Sequence, residues 1–147
     1  MSLLEVSDLR GGYGPVRVLH GIDLTVDAGE MVVVLGANGS GKTSMLWAIC
    51  GMLRASGAVV FDGTPILGKR PEAIARMGIA HVPQGRGTFA DLTVEENLRV
   101  GASSRRDRDI AADIDRWFDL FPRLRERRGQ AAGSMRDRKS TRLNSSH

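Results

Sequence analysis

The sequence predicts an α/β fold that turns on a glycine-rich loop between a buried strand and a helix, with an antiparallel β subdomain ahead of it. Three observations carry that expectation. Residues 31–35 are the wholly apolar run Met-Val-Val-Val-Leu, residues 36–43 read Gly-Ala-Asn-Gly-Ser-Gly-Lys-Thr, and a helical pattern follows over residues 44–53. Two strand-like stretches, residues 3–9 and 16–26, precede that unit. Beyond it, short apolar segments alternate with segments of helical spacing, which is the order of an α/β chain.

Taken in order, residues 3–9 alternate weakly between apolar and polar side chains, as a half-buried strand does. Gly11-Gly12-Tyr13-Gly14-Pro15 interrupts the pattern, and residues 16–26 resume it with a turn expected near Gly21. Asp27-Ala28-Gly29-Glu30 is a turn ahead of residues 31–35, whose unbroken hydrophobicity suits a strand covered on both faces of a parallel sheet. After the helix, Ala58-Val59-Val60-Phe61 is a short strand closed by Asp62-Gly63, the commonest hairpin pair. Pro71 opens a helix to about Met77, at the position proline favours. Residues 78–84, Gly-Ile-Ala-His-Val-Pro-Gln, read as a buried strand running into a polar loop. Thr93-Val94-Glu95-Glu96 has the spacing of a capping box, so a helix is expected to start there. From Asp107 onward Ile110, Ile114, Trp117, Phe118 and Phe121 keep helical spacing until Pro122 stops it.

The glycine loop is where the chemistry concentrates. A polyphosphate needs a concave ring of unpaired backbone N–H groups, and a glycine-rich turn leading into a helix N-terminus supplies one. Side chains at Gly36, Gly39 and Gly41 would hold the backbone away from the phosphates. Lys42 reaches for the terminal phosphates and Thr43 offers a hydroxyl to Mg²⁺. The candidate nucleotide contacts are therefore Gly36, Asn38, Gly39, Ser40, Gly41, Lys42, Thr43 and Ser44, with ATP and Mg²⁺ as the expected ligands.

Composition narrows the alternatives. A chain of 147 residues has room for one domain with a real core. No apolar run approaches the ~20 residues that cross a bilayer, and the N-terminus lacks the basic-then-apolar order of a secretion signal, so a cytoplasmic location is expected. The single cysteine, Cys50, offers neither a disulfide framework nor a cysteine metal cluster and reads as core filler. His20, His81 and His147 lack metal-binding spacing. The net charge is +4, but Arg136, Arg138, Lys139 and Arg142 against Asp137 place three of those charges in the last twelve residues. The rest is nearly neutral and its aromatic residues are not interleaved with basic ones, so no nucleic-acid partner is expected.

Several stretches together resemble one family, the ATP-binding subunits of ABC transporters. Tyr13 matches the aromatic residue that stacks on adenine there, and Val82-Pro83-Gln84 is similar to the family's glutamine loop. By that resemblance Gln84 touches Mg²⁺ and the attacking water. Residues 85–98, Gly-Arg-Gly-Thr-Phe-Ala-Asp-Leu-Thr-Val-Glu-Glu-Asn-Leu, then residues 117–124 and Glu126-Arg127-Arg128, resemble ATPase subunits for uptake of branched-chain amino acids. Related urea and amide systems stay open because many members of the amino-acid group carry glutamate where Gln84 stands. The resemblance implies the N-terminal portion of a P-loop NTPase of the ABC ATPase type, with an antiparallel β subdomain and an incomplete parallel core sheet. It covers residues 1–135, and residues 136–147 form a basic polar tail not expected to belong to the fold.

The implied partners are transmembrane permease subunits, a second nucleotide-binding subunit and, indirectly, a periplasmic or extracellular solute-binding protein. The implied place is peripheral, on the inner face of the cell membrane. The family takes its metal-holding aspartate and catalytic glutamate from the end of a later strand, and its serine-glycine-glycine signature would follow Gly133-Ser134-Met135, where Arg136 begins the tail instead. The chain by itself is thus expected to be inactive in hydrolysis. Asp62 after residues 58–61 imitates the metal-holding position, but Gly63 follows it where a glutamate is required, so the turn reading stands. Two other classes are a non-hydrolysing nucleotide-binding module and a small nucleotide kinase. The kinase would recruit Arg86, Arg99, Arg105 and Arg106, which read better as solvated surface.

Overall fold

Two twelve-residue strands, β1 (Ser2–Tyr13) and β2 (Val16–Asp27), form a long antiparallel ribbon joined at Gly14-Pro15. The computed structural model describes residues 1–85 and 87–135; Arg86 and the basic tail lie outside the described residues. The chain divides into two units, Met1–His81 and Val82–His147.

In the first unit, β1 also pairs with β3 (Ala55–Phe61), which turns back as the short β4 (Thr64–Pro65), giving an antiparallel sheet in the order β2-β1-β3-β4. Asp62 and Gly63 form the β3–β4 turn with φ of 46° and 73°, and two positive values are what a type I′ turn requires. Asp62 thus sits in the hairpin turn that the turn reading expects. Helix α1 (Lys42–Ile49) turns Met45, Ala48 and Ile49 toward Val6, Leu9 and Leu19 of the ribbon and Val59 of β3. Ile66 and Ile74, the latter on α2 (Pro71–Arg76), complete that core.

Several expected elements fall differently. The glycines at 11 and 12 do not interrupt β1; they pair with Leu19 and Arg17 of β2, and the turn is confined to Gly14-Pro15. Gly21 does not make a turn either. β1 carries a bulge at Asp8, φ 46°, whose N–H donates to Asp23 Oδ1 at 2.8 Å. Gly21 on one side and Gly57 on the other leave room for it, since a Cβ at Gly57 would collide with the Asp8 carbonyl. α1 begins at Lys42 and stops at Ile49, short of residue 53, because Gly51 (φ 76°) closes it. Met52 N–H donates to Trp47 O and Gly51 N–H to Ala48 O, the paired bonds of a Schellman ending.

The largest correction concerns the parallel sheet. Residues 31–35 and 78–84, both expected as buried strands, join no ladder, and among the described residues no parallel pair forms. Met31, Val33 and Leu35 are 88%, 71% and 87% exposed. A strand of a parallel sheet is bonded only through neighbours brought in by crossover connections, so an apolar run without those neighbours joins no ladder and stays exposed.

The second unit is helical: α3 (Val94–Gly101), α4 (Ile110–Leu120), α5 (Pro122–Glu126) and a 3₁₀ turn, Ala132–Ser134. The capping box forms in full. Glu96 N–H donates to Thr93 Oγ1 at 3.1 Å and Thr93 N–H to Glu96 Oε2 at 2.8 Å. α4 starts at Ile110, not Asp107, and Pro122 both ends it and opens α5. The buried centre is small: Val94, Ile114 and Phe118, with Leu98, Ile110, Leu124 and Met135 against them.

Glu95 ties this unit together. Its Oε1 accepts from Arg99 at 2.9 Å, its Oε2 from Arg128 at 2.8 Å, and the Arg128 guanidinium lies 5.4 Å from the Phe118 ring centre. The bonds from Arg99 and then Arg128 hold the Glu95 carboxyl below the usual carboxylate range. For an acid depressed on folding, the stabilisation is complete above the unfolded value of about 4.3 and is lost as pH falls through the folded one. The thermal midpoint of this unit should therefore fall as pH drops below that value, and Glu95→Gln should flatten the acid limb. Equal acid sensitivity in the variant would assign it to other groups.

Candidate functional site

The glycine loop is built from short-range bonds. Ser40 N–H donates to Ala37 O at 3.1 Å, and Gly39 and Gly41 stand at φ of 82° and 94°. Gly41 is the N-cap of α1 and is buried against β2, where a Cβ would come within 2.9 Å of Val18 O and 3.3 Å of Leu19 Cδ2. A Cβ at Gly36 would reach 2.5 Å from Ser40 Oγ and fill the mouth of the cradle. The first bond of the helix runs from Met45 N–H to Gly41 O at 2.8 Å, so the helix geometry leaves the N–H groups of Lys42, Thr43 and Ser44 without carbonyls of their own. α1 has neither a side-chain cap nor an acidic residue in its first turn. That end of the helix presents unscreened positive dipole.

Lys42 lies across this cradle. Its ammonium donates to Gly36 O at 2.5 Å and Ala37 O at 2.7 Å, with Ser40 Oγ at 3.4 Å. Thr43 is exposed beside it and Ser44 is buried, 8% accessible. The donor set fits a phosphate chain carrying a hard cation: amides and one ammonium for the anion, and an exposed hydroxyl at Thr43 for the ion. Among the described residues no group of three or more His, Cys, Asp or Glu could hold a metal by itself.

The structure brings Tyr13 to this loop from 31 positions away: its hydroxyl lies 3.1 Å from Ser44 Oγ. The Tyr13 ring stands edge-on to Trp47, 82° between planes and 6.5 Å between centres, and is 45% exposed. Trp47 was not among the expected site residues, and only its i+3 spacing from Ser44 hints at it. Gln84 belongs to the second unit, where it is exposed just before the segment that docks on α3. That segment is held by Asn97, another residue the motif reading passed over. Its Oδ1 accepts from Phe89 N–H at 2.8 Å, and its Nδ2 contacts Phe89 O at 3.0 Å, Leu92 O at 3.2 Å and Thr93 O at 2.9 Å. Asn97→Ala should cost about 2 kcal/mol by stranding these groups, with loss of hydrogen-exchange protection at the Phe89 amide as the readout. Retained protection would show that the loop does not depend on it. Cys50, half-buried, has its thiol pushed up by burial and takes no part in the cradle.

A profile of the ABC transporter family matches residues 19–141. The chain belongs to the ABC transporter family. This ABC chain is 42% identical, over 124 residues, to the high-affinity branched-chain amino acid transport ATP-binding protein of Pseudomonas aeruginosa, a match covering 84% of it and 53% of the relative. It is 34% identical to a probable branched-chain amino acid transport ATP-binding protein of Archaeoglobus fulgidus, over 90% of this chain and 57% of that one. Among solved structures, the ATP-binding subunit of an ABC transporter superposes with a TM-score of 0.79 at 32% identity, over 92% of this chain and 56% of the other. An ATP-binding cassette at 24% identity superposes at 0.78, a likeness of fold. The ABC chain spans about half the length of the curated relatives it matches. Among the described residues no helix is long and apolar enough to cross a membrane.

Proposed function

We propose that this chain supplies the ATP-grasping part of the energy-coupling subunit of an ABC importer, with branched-chain amino acids as the transported class. The observation that carries the reading is the cradle of residues 36–43, closed by the Lys42 ammonium, in a chain whose relatives at 42% and 34% identity are ATP-binding proteins of branched-chain amino acid transport. The amides from Gly39 to Ser44 ring the terminal phosphates, and Asn38 and Ser40 shape the outer lip. Lys42 exchanges loop carbonyls for phosphate oxygens, and Tyr13 lies against the adenine. Thr43 would hold Mg²⁺, which when bound would neutralise charge on the phosphate oxygens.

The chain's own residues bind and orient ATP, and Asp62, in its hairpin turn, is not assigned the metal-holding role that hydrolysis needs. Turnover is a property of the whole protein, paired with a second nucleotide-binding subunit and seated on transmembrane permease subunits at the inner face of the membrane. A solute-binding protein delivers cargo to those permease subunits. Titration of this chain with labelled ATP and Mg²⁺ should give saturable binding and no phosphate release. Absence of saturable uptake overturns the nucleotide reading, and release by this chain overturns the assignment of hydrolysis to residues outside it. A urea- or amide-type importer is the second reading, favoured by Gln84 in place of glutamate. Uptake of labelled leucine against labelled urea by the whole transporter decides between them.

A further inference from the structure

Tyr13 sits between Gly12 and Gly14 at the tip of the β1–β2 ribbon, so neither chain neighbour offers its ring a side chain to rest on. Its orientation rests on α1. Ser44 and Trp47 lie one turn apart on the same face of that helix and take the ring at two points, the hydroxyl 3.1 Å from Ser44 Oγ and the ring edge-on to the indole at 82°. Trp47 lies outside the glycine loop and makes no contact that the phosphate cradle needs. We propose that Trp47 is a positioning residue for base recognition: it locks the Tyr13 ring to the phosphate-loop helix, so that the base platform and the phosphate cradle form one preset surface.

This inference rests on the reading of Tyr13 as the surface that takes adenine. The hydroxyl pair fits it. The two hydroxyls lie 3.1 Å apart and either can donate, so the contact fixes the ring's outer end whichever way the proton points. A ring held at its hydroxyl and one edge still offers a face to a purine, consistent with its 45% exposure. Fixing it before the ligand arrives lowers the ordering cost of binding. The ligand class that benefits is a nucleoside triphosphate, and a bare polyphosphate gains nothing from it.

The test compares the affinities of ATP and inorganic tripolyphosphate, each with Mg²⁺, for the full chain and for Trp47→Ala, Trp47→Phe and Tyr13→Ala. Trp47→Ala should weaken ATP by about five-fold, the scale of one aromatic pair, while tripolyphosphate stays within about two-fold. Trp47→Phe, which keeps an aromatic edge, should recover most of the ATP affinity. If Tyr13→Ala lowers the preference for ATP over tripolyphosphate and Trp47→Ala does not, the positioning role is overturned while the base reading stands. If neither variant alters the preference, the base reading falls as well. Equal losses of both ligands in Trp47→Ala, unrescued by phenylalanine, would mean damage to the helix and would also overturn the proposal.

Discussion

Replacing Lys42 with alanine is expected to weaken ATP binding about a hundred-fold or more, with the melting transition almost unmoved. In the free protein the ammonium is bonded to Gly36 O, Ala37 O and Ser40 Oγ at the loop surface. Those bonds are made in competition with water, and a partly exposed contact of that kind adds little to stability. With a polyphosphate in the cradle the same group makes charge-assisted bonds of roughly 1.5–3 kcal/mol each. Two of them removed exceed the ~2.8 kcal/mol that corresponds to a hundred-fold change. Lys42→Arg should fail too, since a planar fork cannot replace a compact cation between two carbonyls. Calorimetric titration with Mg²⁺ and ATP, alongside a circular-dichroism melt, checks both halves. Undiminished binding in Lys42→Ala would put the nucleotide somewhere else on the chain.

The second large effect lies in the other unit. Phe118→Ala should destabilise it by about 3–5 kcal/mol, the range for deleting a buried aromatic side chain. Phe118 is 1% exposed and is the largest side chain of a centre whose other buried members among the described residues are Val94 and Ile114. Its loss also removes the ring beneath Arg128, and Arg128 is one of the two arginines bonded to Glu95. Marginal domains have reserves on that same scale, so the helical unit should unfold as a whole. Hydrogen exchange on the variant should show α3 and α4 unprotected with the four-stranded sheet still protected. Protection retained in α4 would mean that Leu98, Ile110 and Leu124 suffice as a core.

The parts of this chain that could be read from the residues alone are those whose causes are local. Glycines at 36, 39 and 41 with Lys42 and Thr43 specify a turn and a helix end within eight positions, and the loop formed as expected. Asp62-Gly63 and Thr93 with Glu96 also carry their geometry within a few residues. The misread elements depend on distant partners. The run at 31–35 encodes a preference for burial, but hydrophobicity does not create a ladder, and no described strand lies beside it. Gly11 and Gly12 look like a break until β2 and β3 are placed on either side of β1, Leu19 and Ala55 both facing Gly11. Gly21 looks like a turn until the Asp8 bulge opposite explains the missing side chain. The Tyr13–Ser44 and Tyr13–Trp47 contacts join positions more than thirty residues apart, and beyond the i+3 spacing of Ser44 and Trp47 nothing local announces them.

The strand order also sets a schedule for synthesis on the ribosome. β1 is an inner strand of the sheet, yet its second neighbour, β3, begins only at Ala55, after the whole glycine loop and α1 have been made. At about 5–20 residues per second the nascent ribbon waits a few seconds with that flank of β1 uncovered. During the wait the half of the sheet already made resembles a free hairpin, and the bulge at Asp8 kinks its open flank. A chaperone that screens emerging chains would meet that uncovered flank at any time before β3 has been made.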